Sequence, residues 1–291
     1  MSTAIFFMVC FLGFDIMALQ TSESEELFFS SNQAYRQGRF QEAIDGYGRL
    51  IRSGHKDGNL YYNLGNAYFR LDQLGRAILN YERARLLIPG DADLNFNLNY
   101  ARDKTLDAVS ESQDLVNMTF FWLKDLGLGE LLWGFAVMNF LFWTAFLIRL
   151  FFKFEWTYYA CLISIILWII AGTSFGLKWY QLNTDNRAVI LEQEVNILAG
   201  PDIRDTVLFK LHAGTIVHYE RSEDGWSLIS LPDKKRGWVK AGAVKPVINE
   251  RIHGLRDLNL VMNVDIHLSK QLRMDFLPQR VNATIAKNPF L

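Results

Sequence analysis

The five histidines, His55, His212, His218, His253 and His267, lie in separate segments, with no HExxH or His-x-His pair among them. That spacing cannot bring two imidazoles onto one metal from a single helix or strand. Cys10 and Cys161 both sit inside apolar runs, where neither a disulfide framework nor a water-accessible thiolate is expected. Gly127–Leu128–Gly129 lacks the Lys-Ser/Thr of a phosphate-binding loop, and no Gly-x-Ser-x-Gly elbow occurs. The chain therefore reads as non-enzymatic, with no catalytic, cofactor-binding or metal-ligating residues expected. What remains is recognition chemistry. Asn32 and Asn66 are equivalents in an internal repeat, accompanied by Phe28, Tyr35 and Arg36 on one side and Tyr62, Phe69 and Arg70 on the other. Amides and guanidiniums hold peptide backbone or carboxylate, and aromatic rings supply contact area. Trp226 and Trp238 each follow a glycine. Trp238 reads mainly as core, and Trp226 is open between packing and ligand contact.

The elements that must carry these residues are legible from that repeat. Ala43 and Ala77, Ile44 and Ile78, and Tyr47 and Tyr81 share its 34-residue period with the two asparagines. Tyr61, Leu64–Gly65, Tyr68, Ala77, Tyr81, Ala84 and Pro89 have the spacing of a tetratricopeptide repeat, a pair of antiparallel helices. Gly65 and Ala77 are small where the helices cross, and Pro89 stops the second helix. The reading is an α-helical solenoid over 23–107, with units of about 24–57 and 58–91 and a capping helix over 92–104. Its concave face, lined by the first helix of each unit, would hold a protein partner through Phe28, Asn32, Tyr35, Arg36, Tyr62, Asn66, Phe69 and Arg70.

The 291 residues allow about two domains. Half are apolar, and 30 Lys+Arg balance 31 Asp+Glu, so no basic footprint points to nucleic acid. Residues 1–20 carry a short apolar run that fits an export signal, with an uncleaved interfacial segment as the alternative. Residues 108–130 read as a linker. Two apolar stretches, 131–152 and 156–177, are each long enough to cross a bilayer, joined by a short connector into an antiparallel hairpin. Arg149 and Lys153 at that connector put it in the cytoplasm by the positive-inside rule, which leaves both flanking modules outside. After Asn183 the pattern becomes short alternating runs broken by Gly200–Pro201, Ala213–Gly214, Asp224–Gly225 and Pro232–Asp233. Residues 186–248 thus read as a small all-β barrel, followed by an unassigned tail, 249–291.

Val195–Asn196–Ile197, Gly200–Pro201, Leu211–His212–Ala213–Gly214–Thr215, Gly225–Trp226 and Gly237–Trp238–Val239 resemble the bacterial SH3 family, which implies an SH3-like barrel binding a peptide or cell-wall glycan. Asn32 and Asn63 resemble two positions of the carboxylate clamp of chaperone-binding repeats, whose cationic positions are Phe28, Asp93 and Asn97 here. The whole order of modules is similar to the BatE family of the bacterial aerotolerance operon. The resemblance rests on Asn32–Gln33–Ala34–Tyr35, Tyr61–Tyr62–Asn63–Leu64–Gly65–Asn66–Ala67, Asp93–Leu94–Asn95–Phe96–Asn97–Leu98 and the Gly–Trp pairs. It implies a two-pass protein of the bacterial inner membrane, in an envelope complex with von Willebrand factor A-type membrane proteins and a MoxR-type ATPase, linked to stress or oxygen tolerance. The expectation is a membrane-anchored scaffold. The alternative is a cell-wall-binding sensor, or a regulator of an envelope hydrolase, with peptidoglycan as the barrel's ligand.

Overall fold

Gly38, in a left-handed turn (φ +78°), follows the first of the described helices and lets the next fold back along it. The computed structural model describes residues 23–107 and 119–248. The expected export signal, residues 108–118 of the linker and the tail lie outside them. Helix α1 covers 23–36, followed by α2 (Phe40–Arg52), α3 (Gly58–Arg70), α4 (Leu74–Leu87) and α5 (Ala92–Arg102). Asp57 caps α3, accepting from the backbone N–H groups of Asn59 and Leu60. Asp91, one repeat period on, caps α5 in the same manner by accepting from Leu94. Phe28, Ala34, Ala43, Ile44, Tyr47 and Leu50 pack the first helix pair. Gly65 is required where α3 meets α4, because a Cβ there would lie 2.7 Å from the Tyr81 ring.

Helices α6 (Leu128–Phe151) and α7 (Glu155–Thr184) are long and apolar enough to cross a membrane. Phe135 stacks with Trp168 and Phe175 between them. Arg149 closes the connector by donating to the Phe154 carbonyl and the Thr157 hydroxyl. Both helices differ from the expected spans at the end nearest the soluble modules. The Glu130 side chain accepts from the Gly127 N–H and starts α6 at Leu128. Helix α7 continues past Leu177 to Thr184, and Lys178 on this extension donates to the Leu123 carbonyl.

The seven strands β1 (Arg187–Ile190), β2 (Glu194–Leu198), β3 (Val207–His212), β4 (Ile216–Glu223), β5 (Trp226–Ser230), β6 (Arg236–Lys240) and β7 (Val244–Pro246) form one sheet, in the order β3-β2-β6-β5-β4-β1-β7. All pairs are antiparallel. Ala188, Ile190, Val195, Ile197, Leu211, Val217, Ile229, Val239 and Val244, drawn from every strand, meet in a single core.

The helical region and the sheet are packed on each other. Val189 of β1 and Val247 after β7 are fully buried in the same apolar cluster as Ala77, Ile78, Tyr81, Leu94 and Leu98. Gly75 permits this approach, since a Cβ there would lie 2.4 Å from the Ile190 carbonyl oxygen.

Candidate functional site

The period of the sequence reappears as hydrogen bonds. Tyr47 donates its hydroxyl to Asn32 Oδ1 at 2.6 Å, and Asn63 donates its amide to the same oxygen at 3.3 Å. Tyr81 donates to Asn66 Oδ1 at 2.7 Å, and Asn97 donates to it at 3.1 Å. Each asparagine thus ties its own unit's second helix to the next unit's first. Asn97 also donates to the Tyr62 hydroxyl at 2.9 Å. Burial pushes the Tyr47 and Tyr81 phenols well above their ordinary range and Tyr62 up to about 12, so all three stay neutral, Tyr47 and Tyr81 as donors and Tyr62 as acceptor from Asn97.

This places the expected groove residues in two sets. Phe28 and Asn32 are buried in the core, 7% and 2% exposed. Phe28 packs against the Tyr47 ring, and Asn32 serves the inter-unit bond. Asn66 and Tyr62 are half-buried in the equivalent bond network. Tyr35 and Phe69 are half-buried and Arg36 and Arg70 exposed, so these four remain reachable. The Arg70 guanidinium lies 4.9 Å over the Phe40 ring, with Tyr35 close by. Burial raises the Tyr35 pKa, and Arg70 opposes that rise. Phe40 in turn meets Tyr35 edge-on at 5.4 Å.

The structure adds residues that the reading of the sequence missed. Lys104 lies over both the Phe69 and Tyr100 rings, at 5.8 and 5.2 Å. Phe96 and Tyr100 project from α5, 69% and 50% exposed, with rings parallel at 6.5 Å. The signal was present in the repeat: Phe96 is the equivalent of Tyr62 one unit on, and Lys104 is the equivalent of Arg70.

A second constellation sits where the helices meet the sheet. Glu82 of α4 is fully buried and paired with Arg85 (2.9 Å), Arg187 of β1 (3.0 Å) and Arg102 of α5. Burial is the strongest influence on it and raises its pKa, but Arg85, Arg187 and Arg102 together outweigh that and hold it at about 2. Arg187 also clasps Asp185. Arg83 donates to the Val247 and Pro246 carbonyls, both at 3.1 Å, and so covers the β7 end of the sheet. Asp107 accepts from the His212 N–H at 2.8 Å and the Thr215 hydroxyl at 2.6 Å, and pairs with the His212 ring. Burial would raise its carboxyl. The bonds from Thr215 and His212 prevail and hold it below the ordinary carboxylate range.

On the sheet, Trp226 is half-buried opposite Lys240 and Glu223. Trp238 is 7% exposed, with the Arg221 guanidinium 5.3 Å over its ring. Among the described residues, no group of three or more His, Cys, Asp or Glu converges in a way that could hold a metal ion.

Comparison with known proteins bears on both the sheet and the helical region. Residues 193–245 match the family described as bacterial SH3 domain. Tetratricopeptide repeat protein 16 of Homo sapiens and that of Macaca fascicularis are each 31% identical to this chain over 70 residues, which is 24% of the chain and 8% of the relative. The chain thus matches only a small part of the length of these relatives. The C-terminal sheet is consistent with an SH3-like domain, and the helical region has weak similarity to tetratricopeptide-repeat proteins.

Proposed function

We propose that the protein is a non-enzymatic, membrane-anchored scaffold. Its helical region acts as a short tetratricopeptide-repeat solenoid that grips a protein partner, and its SH3-like domain holds a second ligand close by. The observation that carries this reading is the shared core of α4 and β1, closed over by Glu82 and its three arginines. Two modules of recognition type, held rigidly together, present their ligands at a fixed separation and raise the effective concentration of one for the other. The apolar hairpin at their base supplies the anchor, and Arg149 with Lys153 at its turn favours a cytoplasmic connector and extracytoplasmic modules. The similarity in module order to the BatE family supports a place in an envelope complex with von Willebrand factor A-type membrane proteins and, through them, a MoxR-type ATPase.

Photo-crosslinking in intact bacterial cells tests the scaffold. A photoreactive residue at Gln33, exposed on α1, should give one dominant protein adduct that a residue placed at Arg52 on the outer face does not. Equal or absent adducts at both positions would overturn it. Reporter fusions at residues 23 and 248 should both report the extracytoplasmic side. The match of residues 193–245 to the bacterial SH3 domain favours a second reading, a cell-wall-binding sensor or hydrolase regulator. Co-sedimentation of the full protein with purified peptidoglycan, abolished by Trp226→Ala, would establish it.

A further inference from the structure

Three exposed cations of the helical region follow the same period as its buried bonds. Arg36 ends α1, Arg70 ends α3 and Lys104 follows the end of α5, and all three are exposed. A cation at a helix C-terminus is favoured by the helix dipole in any case. The dipole does not call for what lies beside them. Arg70 lies 4.9 Å over the ring of Phe40, an aromatic of the preceding unit, which itself meets Tyr35 edge-on. Lys104 lies over Phe69, which is the equivalent of Tyr35 one unit on. Each of these two cations is therefore seated on an aromatic of the unit before it, exposed and repeated at the period of the units. Beside the last rung, the parallel rings of Phe96 and Tyr100 offer exposed apolar area on the same helix. Negative charge is present on the same helix face at its other end, where Asp91 and Asp93 lie close enough to raise the Tyr62 pKa. The face is thus polarised, cationic along the helix C-termini and acidic at the N-terminus of α5. Asp103, next to Lys104 in the chain, adds one acidic group at the end of the cationic row.

We propose that this ladder reads an extended acidic peptide segment, with its carboxylates along Arg36, Arg70 and Lys104 and an aromatic or aliphatic side chain laid on Phe96 and Tyr100. Charge complementarity selects the sign of the partner and the exposed ring pair supplies an apolar anchor. The inference deepens the scaffold reading by giving the partner a chemistry, and it rests on that reading.

The test uses the full chain in nanodiscs of zwitterionic lipid and three labelled peptides of equal length. Each peptide carries one central Phe, flanked by Glu, by Lys or by Ser/Gly. Fluorescence anisotropy should show the Glu peptide binding at least about tenfold more tightly than the other two, with affinity falling as salt rises. Charge reversal of the ladder (Arg36→Glu, Arg70→Glu, Lys104→Glu) should weaken the Glu peptide by about tenfold or more and improve the Lys peptide. The neutral set Arg36→Gln, Arg70→Gln, Lys104→Gln, with an unchanged melting temperature, separates charge loss from misfolding. Equal binding of all three peptides, or preference for Lys, would overturn the acidic partner. In-cell adducts from Gln33 separate the two levels. Adducts that survive ladder reversal unchanged sink the acidic ladder but leave the scaffold standing, whereas absence of adducts in the unaltered protein sinks the scaffold itself.

Discussion

The two helix pairs share their inner bonds and differ on their outer faces. Gln41, Asp45, Gly48 and Arg52 of α2 correspond, one repeat period on, to Gly75, Leu79, Glu82 and Leu86 of α4. On α2, Gln41, Asp45 and Arg52 are exposed to solvent, whereas on α4 Gly75, Leu79 and Glu82 are buried. A repeat unit becomes a docking platform when a small residue admits a neighbouring backbone, apolar side chains replace charged ones, and a single buried carboxylate collects cations from the other side. The outer faces of the two units differ while their inner bonds are alike.

The largest break in that comparison is Glu82→Ala. It leaves Arg85, Arg102 and Arg187 facing one another without their shared anion, and removing one partner of a buried ionic cluster costs about 3–5 kcal/mol. Gly48→Glu, which places the same residue on half-buried α2 backbone with no cationic cluster facing it, should instead stabilise slightly, by about 0.5 kcal/mol, through better helix propensity. Denaturant unfolding of the detergent-solubilised protein measures both. Glu82 also predicts an acid response. In the unfolded chain it titrates near its ordinary 4.5, and in the folded protein near 2. As pH falls, the unfolded state takes up the proton first. The contribution is therefore whole above about pH 5 and is lost as pH drops from about 4.5 toward 2, a loss of about 3 kcal/mol. Stability measured across that window should flatten in Glu82→Gln.

Gly75→Ala tests the close approach itself. Its methyl would meet the Ile190 carbonyl and the Leu191 Cα, 2.4 and 2.8 Å away. These are backbone atoms that cannot rotate aside, so α4 and the sheet must part. The steric cost of about 1–3 kcal/mol is partly offset by alanine's better helix propensity, for a net loss of about 1–2 kcal/mol. Gln41→Ala at the matching position of α2 should be close to neutral. Hydrogen exchange at Val189 and Ile190 should accelerate only in the first variant.

These positions show where the sequence speaks and where it is silent. The hydrogen-bond rungs formed by Tyr47 with Asn32 and Tyr81 with Asn66 are legible because both residue types keep one period. The docking face was hidden by the same logic, since reading the units as equivalents passes over the change from Asp45 to Leu79. Glu82 could not be singled out either. Its partners Arg102 and Arg187 are 20 and 105 residues away, and only the fold brings them together. The candidate groove residues lie on α1 and α3, but a face at helical spacing does not reveal which side chains turn inward, and Phe28 and Asn32 do. Lys104 and Phe96 were passed over because α5 was read as a cap rather than as a third inner helix.

The rungs give a finer contrast. Asn32→Ala strands the hydroxyl of Tyr47, which is wholly buried, and the Asn63 amide beside it. An unsatisfied buried polar group costs about 1–3 kcal/mol. Asn66→Ala strands the Tyr81 hydroxyl, 1% exposed, in the same way, but Asn66 and its second donor Asn97 are half-buried, so water can replace the Asn97 bond, and the cost should fall at the low end of that range, about 1 kcal/mol. Equal losses at the two positions would mean that the rungs are not graded by burial.

The smallest effect lies at the caps. Asp57 accepts from two backbone N–H groups and Asp91 from one. Alanine at either position removes a cap worth about 1 kcal/mol, with Asp57 carrying the larger share by its extra bond. Burial raises the Asp57 pKa, and the bonds from Leu60 and Asn59 oppose that rise, so part of its capping energy is already spent on desolvation. The two variants should therefore lie closer together than their bond counts suggest, within about 0.5 kcal/mol. Thermal unfolding of Asp57→Ala beside Asp91→Ala measures that gap. A wide one would mean that the interior helix and the terminal helix are not held by the same local device, and the equivalence of α3 and α5 would fail at its simplest point.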